Sequence, residues 1–255
     1  MTTAVHCDRV SKSYRRSHTL GVKEWFVARN RAPSRFTREW AVQDVSFDVR
    51  AGEGFGIIGA NGSGKSTLLS VLLGVLRPEA GTVAVRGSVA SLLELGAGFH
   101  PELTGRQNLF LHGAILGMRL GAVRARFDDM VAFSELGSAI DQQLRTYSSG
   151  MVARLGFSAI AHADADVLLV DEVLAVGDMG FKEKCLRFLG DFKERQGTLV
   201  VVSHDMELIQ ATCERGLCLS EGRTVASGPM SEVVRAYREG IDDPRHAQVH
   251  VLAPP

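Results

Sequence analysis

This 255-residue sequence has no net charge, no Cys-x-x-Cys pair and no long apolar run. Its 29 basic and 29 acidic residues balance, so no overall charge favours nucleic acid as a partner. The four cysteines form no Cys-x-x-Cys pair and no cluster with histidines, which fits a reduced cytosolic setting better than a disulfide framework or a zinc site. The apolar runs fall far short of the roughly 20 residues that span a bilayer. We also expect no secretory signal peptide at Met1.

A complete P-loop pattern lies between an apolar strand pattern at residues 55–58 and a helical pattern at residues 68–73. Its glycines let the backbone wrap closely around phosphate oxygens, so that amide hydrogens and the positive end of the helix face the anion. Lys65 supplies a mobile charge for the β and γ phosphates, and the Ser66 hydroxyl is placed to ligate Mg²⁺. The sequence therefore predicts a nucleoside triphosphate site formed by Gly59, Asn61, Gly62, Ser63, Gly64, Lys65, Ser66 and Thr67.

The length suits a single nucleotide-binding domain over residues 1–240, followed by a polar tail at 241–255 that we expect to be poorly ordered. Strand patterns at residues 5–14 and 41–49 open the chain, and a strand pair is predicted at 82–85 and 89–93. Thr104 is a candidate helix N-cap. Helical patterns at about 110–116 and 122–133 then predict a small helical subdomain over about residues 100–160.

Residues 15–40 form a basic insertion between the first two strand patterns. They carry seven Lys or Arg against two Glu, interleaved with Trp25, Phe26, Phe36 and Trp40. Such a stretch either lies against anionic headgroups or a membrane partner, or it is a solvated insertion whose aromatic rings pack on their own domain. The sequence leaves both interpretations open.

Two carboxylates and a histidine follow apolar strand patterns in the second half of the chain. Asp171 and Glu172 come directly after the apolar run 167–170, and ligands bind at this end of the strands in open α/β sheets. We expect Asp171 to hold Mg²⁺ through water and Glu172 to polarise the attacking water. His204 follows the strand pattern at 198–202 and is a candidate sensor of the γ-phosphate, although a lone histidine is a weak signal.

Taken together, these motifs resemble those of ATP-binding cassette ATPases over roughly residues 5–238. The resemblance implies an α/β fold with a P-loop NTPase core of mixed or parallel sheet, an antiparallel β subdomain and a small helical subdomain. It puts Tyr14 where the family stacks an aromatic ring on adenine, and Asp178 in the position of the D-loop. The nearest match to the glutamine of the Q-loop is Glu94, whose carboxylate can ligate Mg²⁺ but adds a charge.

The signature motif is the other clear departure from the usual family pattern. Ser148 and Gly150 are kept from Leu-Ser-Gly-Gly-Gln, whereas Tyr147, Ser149 and Met151 replace the other three residues. Ser148, Ser149 and the amides that open the Gly150 helix can still meet a γ-phosphate.

These departures resemble one branch of the family, the exporters of bacterial cell-surface polysaccharides, including O-antigen, capsule-like glycans and teichoic acids. The stretches that carry this likeness are residues 93–99, 104–108, 147–151 and 171–178. The resemblance implies an ATPase on the cytoplasmic face of the cell membrane, which powers export of a lipid-linked polysaccharide through a separate transmembrane permease. Residues 94–108 and the helices after them are the candidate contact with that permease.

The hypothesis for the assembly is a head-to-tail homodimer. Each ATP then lies between residues 59–67 of one copy and residues 148–150 of the other, because helix N-termini on both sides favour the triphosphate. Three alternatives remain at this point. An exporter of a lipid, drug or peptide would use the same machinery. A soluble cassette ATPase usually joins two cassettes or inserts a long coiled coil, and neither pattern is visible. A small-molecule kinase would leave residues 147–151 and 171–172 unexplained.

Overall fold

The computed structural model describes residues 2–17, 36–93, 98–171, 178–242 and 250–251. The described strands form two sheets, one with strand order β2-β1-β4 and one with order β10-β9-β8-β3-β7-β6-β5. The strands are β1 (Thr3–Ser17), β2 (Phe36–Arg50), β3 (Gly54–Gly59), β4 (Ala80–Val85), β5 (Val89–Ser91), β6 (Val167–Val170), β7 (Thr198–Val202), β8 (Arg215–Ser220), β9 (Arg223–Pro229) and β10 (His250–Val251).

Eight α-helices are described, and two short 3₁₀ helices lie at Gly137–Asp141 and Leu144–Thr146. The α-helices are α1 (Lys65–Leu72), α2 (Gly105–Ile115), α3 (Leu120–Ala125), α4 (Phe127–Ser134), α5 (Ser149–Ala161), α6 (Met179–Glu194), α7 (Met206–Thr212) and α8 (Met230–Asp242). In the part of the chain that the structure describes, no helix is long and apolar enough to cross a membrane.

The large sheet forms the centre of the molecule because three of its strands are buried throughout. Every residue of β3, β6 and β7 is buried, as expected for parallel strands that are covered on both faces. β3 pairs in parallel with β7 and β8, and β6 pairs in parallel with β7 and β5. The predicted strands at 55–58, 167–170 and 198–202 are confirmed, together with the predicted mixed α/β fold.

The smaller sheet is antiparallel and packs its apolar face on the P-loop helix. Val5, Val10, Val42 and Val45 are completely buried in one cluster with Leu68 and Leu69 of α1. The third strand of this sheet, β4, shows that one prediction was wrong. The segments 82–85 and 89–93 do not pair with each other, because β4 joins β1 whereas β5 joins β6 in the large sheet.

After β4 the chain crosses from the small sheet to the large sheet, and Ser88 forms hydrogen bonds with residues just before β6. Its single O–H is shared between the Asp164 carbonyl oxygen at 2.7 Å and the Asp166 carboxylate at 2.9 Å, and its backbone N–H donates to the Asp166 carboxylate at 2.7 Å. These bonds hold the start of β5 beside β6. The strand-pair prediction was wrong because both partners lie far from residues 82–93 in the sequence.

Helices α2, α4 and α5 share a hydrophobic cluster of their own, which includes Leu109, Met130 and Leu155 together with Leu144 of the second 3₁₀ helix. The predicted N-cap at Thr104 is confirmed. Its hydroxyl accepts the Gln107 N–H, and the Gln107 side chain accepts the Thr104 N–H, which is a complete capping box.

The single helix predicted at about 122–133 is divided at Arg126, which ends α3 and precedes α4. Its guanidinium donates to the His162 carbonyl at 2.6 Å and to Asp164 at 2.9 Å, and it thereby joins this turn to the end of α5.

Both ends of the basic insertion are paired strands, because the β1–β2 ladder continues to Ser17 and Phe36. Arg38 forms an ion pair with Glu79, and its guanidinium lies 4.2 Å from the centroid of the Trp40 ring. This end of the insertion therefore packs on its own domain. Residues 18–35, with Trp25 and Phe26, lie outside the described residues, so the membrane interpretation stays a prediction for them.

The structure describes four residues of the C-terminal tail, 241–242 and 250–251, and the expected poor order of the tail stays a prediction. Helix α8 continues to Asp242, and His250–Val251 add a short strand in parallel to Ala226 and Ser227 of β9. This pairing is possible because β9 bonds β8 along one edge only and leaves its other edge open. Residues 243–249 and 252–255 are outside the described ranges.

Candidate nucleotide site

Three of the predicted site segments follow three adjacent strands of the large sheet. Ile57 of β3 is paired with Val202 of β7, and Val201 of β7 is paired with Val170 of β6. The strands are parallel, so their carboxyl ends meet at one edge of the sheet. The P-loop, His204 and Asp171 follow directly after these ends. The structure therefore brings together at one edge segments that are more than 100 residues apart in the sequence.

The P-loop turn needs glycine at two positions because the backbone approaches other strands closely. Gly64 has φ 106° and Gly59 has φ 149°, a region that side-chain-bearing residues rarely adopt. A methyl group at Gly64 would overlap the Ala41 carbonyl oxygen, and one at Gly59 would overlap that of Leu219. The turn is thereby held between β2 and β8.

The start of α1 is suited to bind an anion. In the structure no side chain caps this helix, and its first turn contains no acidic residue. Its N–H groups face a cleft of about 200 Å³ that is lined by Ala41, Asn61, Gly62, Gly64, Lys65, Ser66 and Thr67. Because unpaired N–H groups and the helix dipole both favour negative charge, this cleft fits phosphate oxygens.

Lys65 lies in this cleft with only 6% of its surface exposed. Its ammonium group donates to the Gly59 carbonyl at 2.8 Å and to the Ala60 carbonyl at 3.0 Å. One of its three N–H donors is left for a ligand. Nearby, the buried Oγ of Ser63 has no hydrogen-bond partner among the described residues. Buried polar groups of this kind indicate a ligand that completes the site.

Tyr14 lies beside the P-loop helix, with its hydroxyl 3.4 Å from the Oγ1 of Thr67 and 45% of its surface exposed. Its neighbour Ser13 is paired with Trp40 and bonds Glu79. Successive strand residues point to opposite faces of the sheet. Tyr14 therefore faces the P-loop helix, whereas Trp40 faces the Glu79 side of the sheet.

The signature position opens α5, and its side chains lie at the surface. Ser148 is the N-cap, and its hydroxyl accepts the Met151 N–H at 3.2 Å. Ser148 and Ser149 are exposed and Gly150 is half-buried. No acidic residue lies in the first turn of α5. The Ser148 hydroxyl already accepts one N–H group of this helix start, and the remaining N–H groups can therefore face a second anion.

Asp178 is the N-cap of α6 and accepts the Phe181 N–H at 3.0 Å. This bond, helped by the charge of Arg154, lowers the pKa of the Asp178 carboxyl. Arg154 lies on α5 with 17% of its side chain exposed, and it pairs with both Asp178 and Glu135. Sequence reasoning missed Arg154. The available signal was a lone charge in the otherwise apolar body of α5.

The structure can accommodate Mg²⁺, although the site depends on the triphosphate. Within the described ranges, no group of three or more His, Cys, Asp or Glu could hold a metal ion by itself. Mg²⁺ keeps several waters and is typically bound by one or two protein oxygens together with substrate phosphates. The exposed Ser66 and the half-buried Asp171 fit this role. Two predicted residues, Glu94 and Glu172, lie outside the described residues and stay predictions.

The cysteines take no part in this site. All four are buried free thiols, and burial raises the pKa of Cys7, Cys185 and Cys213 to about 12 and that of Cys218 to about 11. They are neutral core residues at physiological pH.

The family model for ABC transporters matches residues 42–175. Among similar proteins, an O-antigen export system ATP-binding protein, RfbB of Klebsiella pneumoniae, is 42% identical over 245 residues, which are 94% of this chain and 100% of that protein. A teichoic acids export ATP-binding protein, TagH of Lactococcus lactis, is 40% identical over 202 residues, which are 79% of this chain and 43% of that protein.

Solved structures show the same fold at lower sequence identity. The ATP-binding cassette MJ0796, in a dimeric post-hydrolysis state bound to ADP and Pi, superposes with a TM-score of 0.70 at 21% identity and covers 89% of this chain and 98% of that one. An ATP-binding subunit of an ABC transporter superposes with a TM-score of 0.72 at 18% identity, covering 92% and 93% of the two chains.

Proposed function

Because the chain belongs to the ABC transporter family, we propose that it is the ATP-binding and ATP-hydrolysing subunit of an exporter of a cell-surface polysaccharide. The main support for ATPase activity is that the P-loop, His204 and Asp171 follow the ends of three adjacent parallel strands. The cargo is supported by the relatives, whose names state export of O-antigen and of teichoic acids.

The chemistry proposed for this site uses charge and position. The N–H groups of α1 and the Lys65 ammonium hold the phosphates, while Tyr14 stacks on the adenine. Ser66 and Asp171, the latter through water, hold Mg²⁺, which neutralises charge on the phosphates when it is bound. Glu172 orients and deprotonates the attacking water, and His204 contacts the γ-phosphate. Glu94 provides a further oxygen ligand for the metal.

Each site is completed by a second copy of the chain. The start of α5, with Ser148, Ser149 and Gly150, meets the triphosphate bound to the P-loop of the other copy, and Asp178 lies next to this contact. ATP then closes the dimer because two helix N-termini share one anion. Hydrolysis removes the shared γ-phosphate and lets the dimer open.

A transmembrane permease subunit is the second proposed partner, and it places this chain on the cytoplasmic face of the membrane. The surface that supports this contact lies on α2 and the start of α3, where Leu111 is 37%, Ile115 57% and Leu120 62% exposed. Leu111 and Ile115 lie one turn apart on the same face of α2, and exposed apolar side chains on one face indicate a protein contact. The proposed cargo is a lipid-linked polysaccharide, and the proposal includes no nucleic acid.

The Glu172→Gln variant tests the ATPase part of the proposal. Removing the base should leave ATP binding intact, nearly abolish hydrolysis and trap an ATP-bound dimer, as measured by phosphate release and by light scattering after size exclusion. Glu183→Gln, the same change at an exposed position of α6, is the matched control and should behave as wild type. Hydrolysis at a normal rate by Glu172→Gln would show that Glu172 is not the base.

The cargo requires a test in cells. Depletion of this protein should remove the polysaccharide from the cell surface while lipid-linked glycan accumulates inside. Wild type should restore export, whereas Glu172→Gln should not. A surface polysaccharide that is unchanged after depletion would exclude this cargo, even if the protein is an active ATPase.

A further inference from the structure

Two segments of the helical region are joined by a ladder of hydrogen bonds just before the signature. One is the loop 101–106 that leads into α2, and the other is the stretch 139–147 that leads into α5. The backbone bonds run from Gly105 to Gln142 (3.1 Å), from Leu144 to Leu103 (2.9 Å) and from Arg145 to Pro101 (3.0 Å). Arg106 adds a two-pronged contact with Asp141, at 2.7 and 3.2 Å.

Tyr147 follows this ladder, one residue before the N-cap Ser148, and its backbone N–H donates to the Leu144 carbonyl at 2.9 Å. Its hydroxyl donates to the Ala139 carbonyl at 2.5 Å, in the first 3₁₀ helix. Burial, helped by the negative charge of Asp141, raises the pKa of the Tyr147 hydroxyl, so it stays a neutral donor. The side chain at the signature's first position is therefore fixed at both ends, by its backbone and by its hydroxyl.

Gly105 makes the room that this hydroxyl occupies. A methyl group at Gly105 would overlap the Tyr147 hydroxyl oxygen and lie 3.0 Å from the Ile140 carbonyl. Gly105 is the first residue of α2 and is not among the residues with positive φ, so its backbone does not require glycine. The reason for glycine at this position is the space that Tyr147 fills.

We propose that Tyr147 is a positioning residue whose hydroxyl, seated against Gly105, fixes the start of α5 for its contact with nucleotide. The inference rests on the proposed function, in which Ser148 and the first amides of α5 meet the triphosphate of the second copy. The amides of a helix start are useful to an anion only when they are already aimed at it. The leucine usual at the first signature position has no hydroxyl and could not make this hydrogen bond. The positioning role therefore requires both Tyr147 and Gly105.

ATP-dependent dimerisation in the Glu172→Gln background tests the proposal. Gly105→Ala should raise the protein concentration for half-maximal dimerisation at least about tenfold, since overpacking displaces the tyrosine. Tyr147→Phe removes one hydrogen bond and should raise it about fivefold. The double variant should resemble Tyr147→Phe alone, because two changes at one contact are not additive.

Matched variants separate positioning from general damage. Gly121→Ala is the control for the added methyl group, as a methyl at Gly121 of α3 meets nothing within 4 Å. Tyr147→Phe should fold normally, because the Ala139 carbonyl also accepts the Gln142 N–H at 2.9 Å. ATP affinity of the monomer, which depends on the P-loop, should be unchanged in every variant.

Two outcomes would overturn the positioning role while the parent still dimerises. One is Gly105→Ala dimerising like Gly121→Ala, and the other is a double variant whose defect equals the product of the single defects. If the Glu172→Gln parent itself stays monomeric with saturating ATP, the proposed head-to-tail dimer fails instead.

Discussion

Replacing Lys65 by alanine tests how much the lysine charge, apart from the backbone of the P-loop, contributes to triphosphate binding. The ammonium is buried, donates to the carbonyls of Gly59 and Ala60, and has one donor left for a phosphate oxygen. Alanine removes that charge without adding bulk in the cleft. We expect the loss to appear in affinity for triphosphate, with little change for ligands that lack the β and γ phosphates.

The size of the effect follows from the burial and the two existing hydrogen bonds. A hydrogen bond to a charged group contributes about 1.5–3 kcal/mol. The Lys65 ammonium is removed from water and oriented before nucleotide arrives, so little further desolvation or side-chain ordering opposes the contact. We therefore expect the upper part of this range, which corresponds to about 100-fold weaker ATP binding.

Calorimetric titration with ATP and with AMP is the assay. Lys65→Ala should bind ATP about 100-fold more weakly than wild type does, and AMP less than about twofold more weakly. Lys12→Ala is the control for loss of a lysine, since its ammonium bonds the Arg77 carbonyl outside the cleft. An equal loss for ATP and AMP, or ATP affinity within about twofold of wild type, would refute the assigned role.

Two further predictions concern the contact between α5 and α6. Arg154→Lys keeps the charge but cannot bridge Glu135 and Asp178 together, so it and Arg154→Gln should both lower the melting temperature by about 2–4 °C. An unchanged melting temperature for both variants would show that the bridge adds no stability to the fold. The pKa of Asp178 is held below its ordinary value of 3.8, chiefly by the Phe181 N–H, so its ionised form stabilises the fold above that value. The stabilisation is lost as pH falls through the folded pKa. Melting temperatures measured from pH 7 down to about 2 should therefore show Asp178→Asn less stable than wild type at pH 7, by a margin that shrinks toward the acid end. A constant difference would contradict this linkage.

The local elements of the nucleotide site were predictable because their causes lie within a few residues. The P-loop lies between an apolar strand and a helix, as its pattern predicts, because glycines at positions 59 and 64 permit the turn. The Thr104 N-cap follows in the same way from a hydroxyl three residues before Gln107. Such short-range chemistry can be recognised in a single sequence.

Long-range pairing explains the predictions that were wrong. β5 was expected beside β4 because the two are neighbours in the chain, yet Ser88 bonds Asp164 and Asp166, which lie more than 70 residues further on. Arg154 was missed for a similar reason. Its partners Glu135 and Asp178 are 19 and 24 residues away, and nothing in the spacing marks them as partners.

The sequence by itself predicted which residues would hold a triphosphate, and it determined where the buried strands run and which family the chain resembles, since these depend on residue type and short spacing. Only the tertiary structure decided that Trp40 packs against Arg38, on the face of the small sheet opposite Tyr14. It also decided that the Tyr147 hydroxyl fills the space beside Gly105 and that Arg154 joins α5 to α6. Strand pairing and side-chain packing bring distant residues together, and their register depends on the energy of the whole fold rather than on any local pattern.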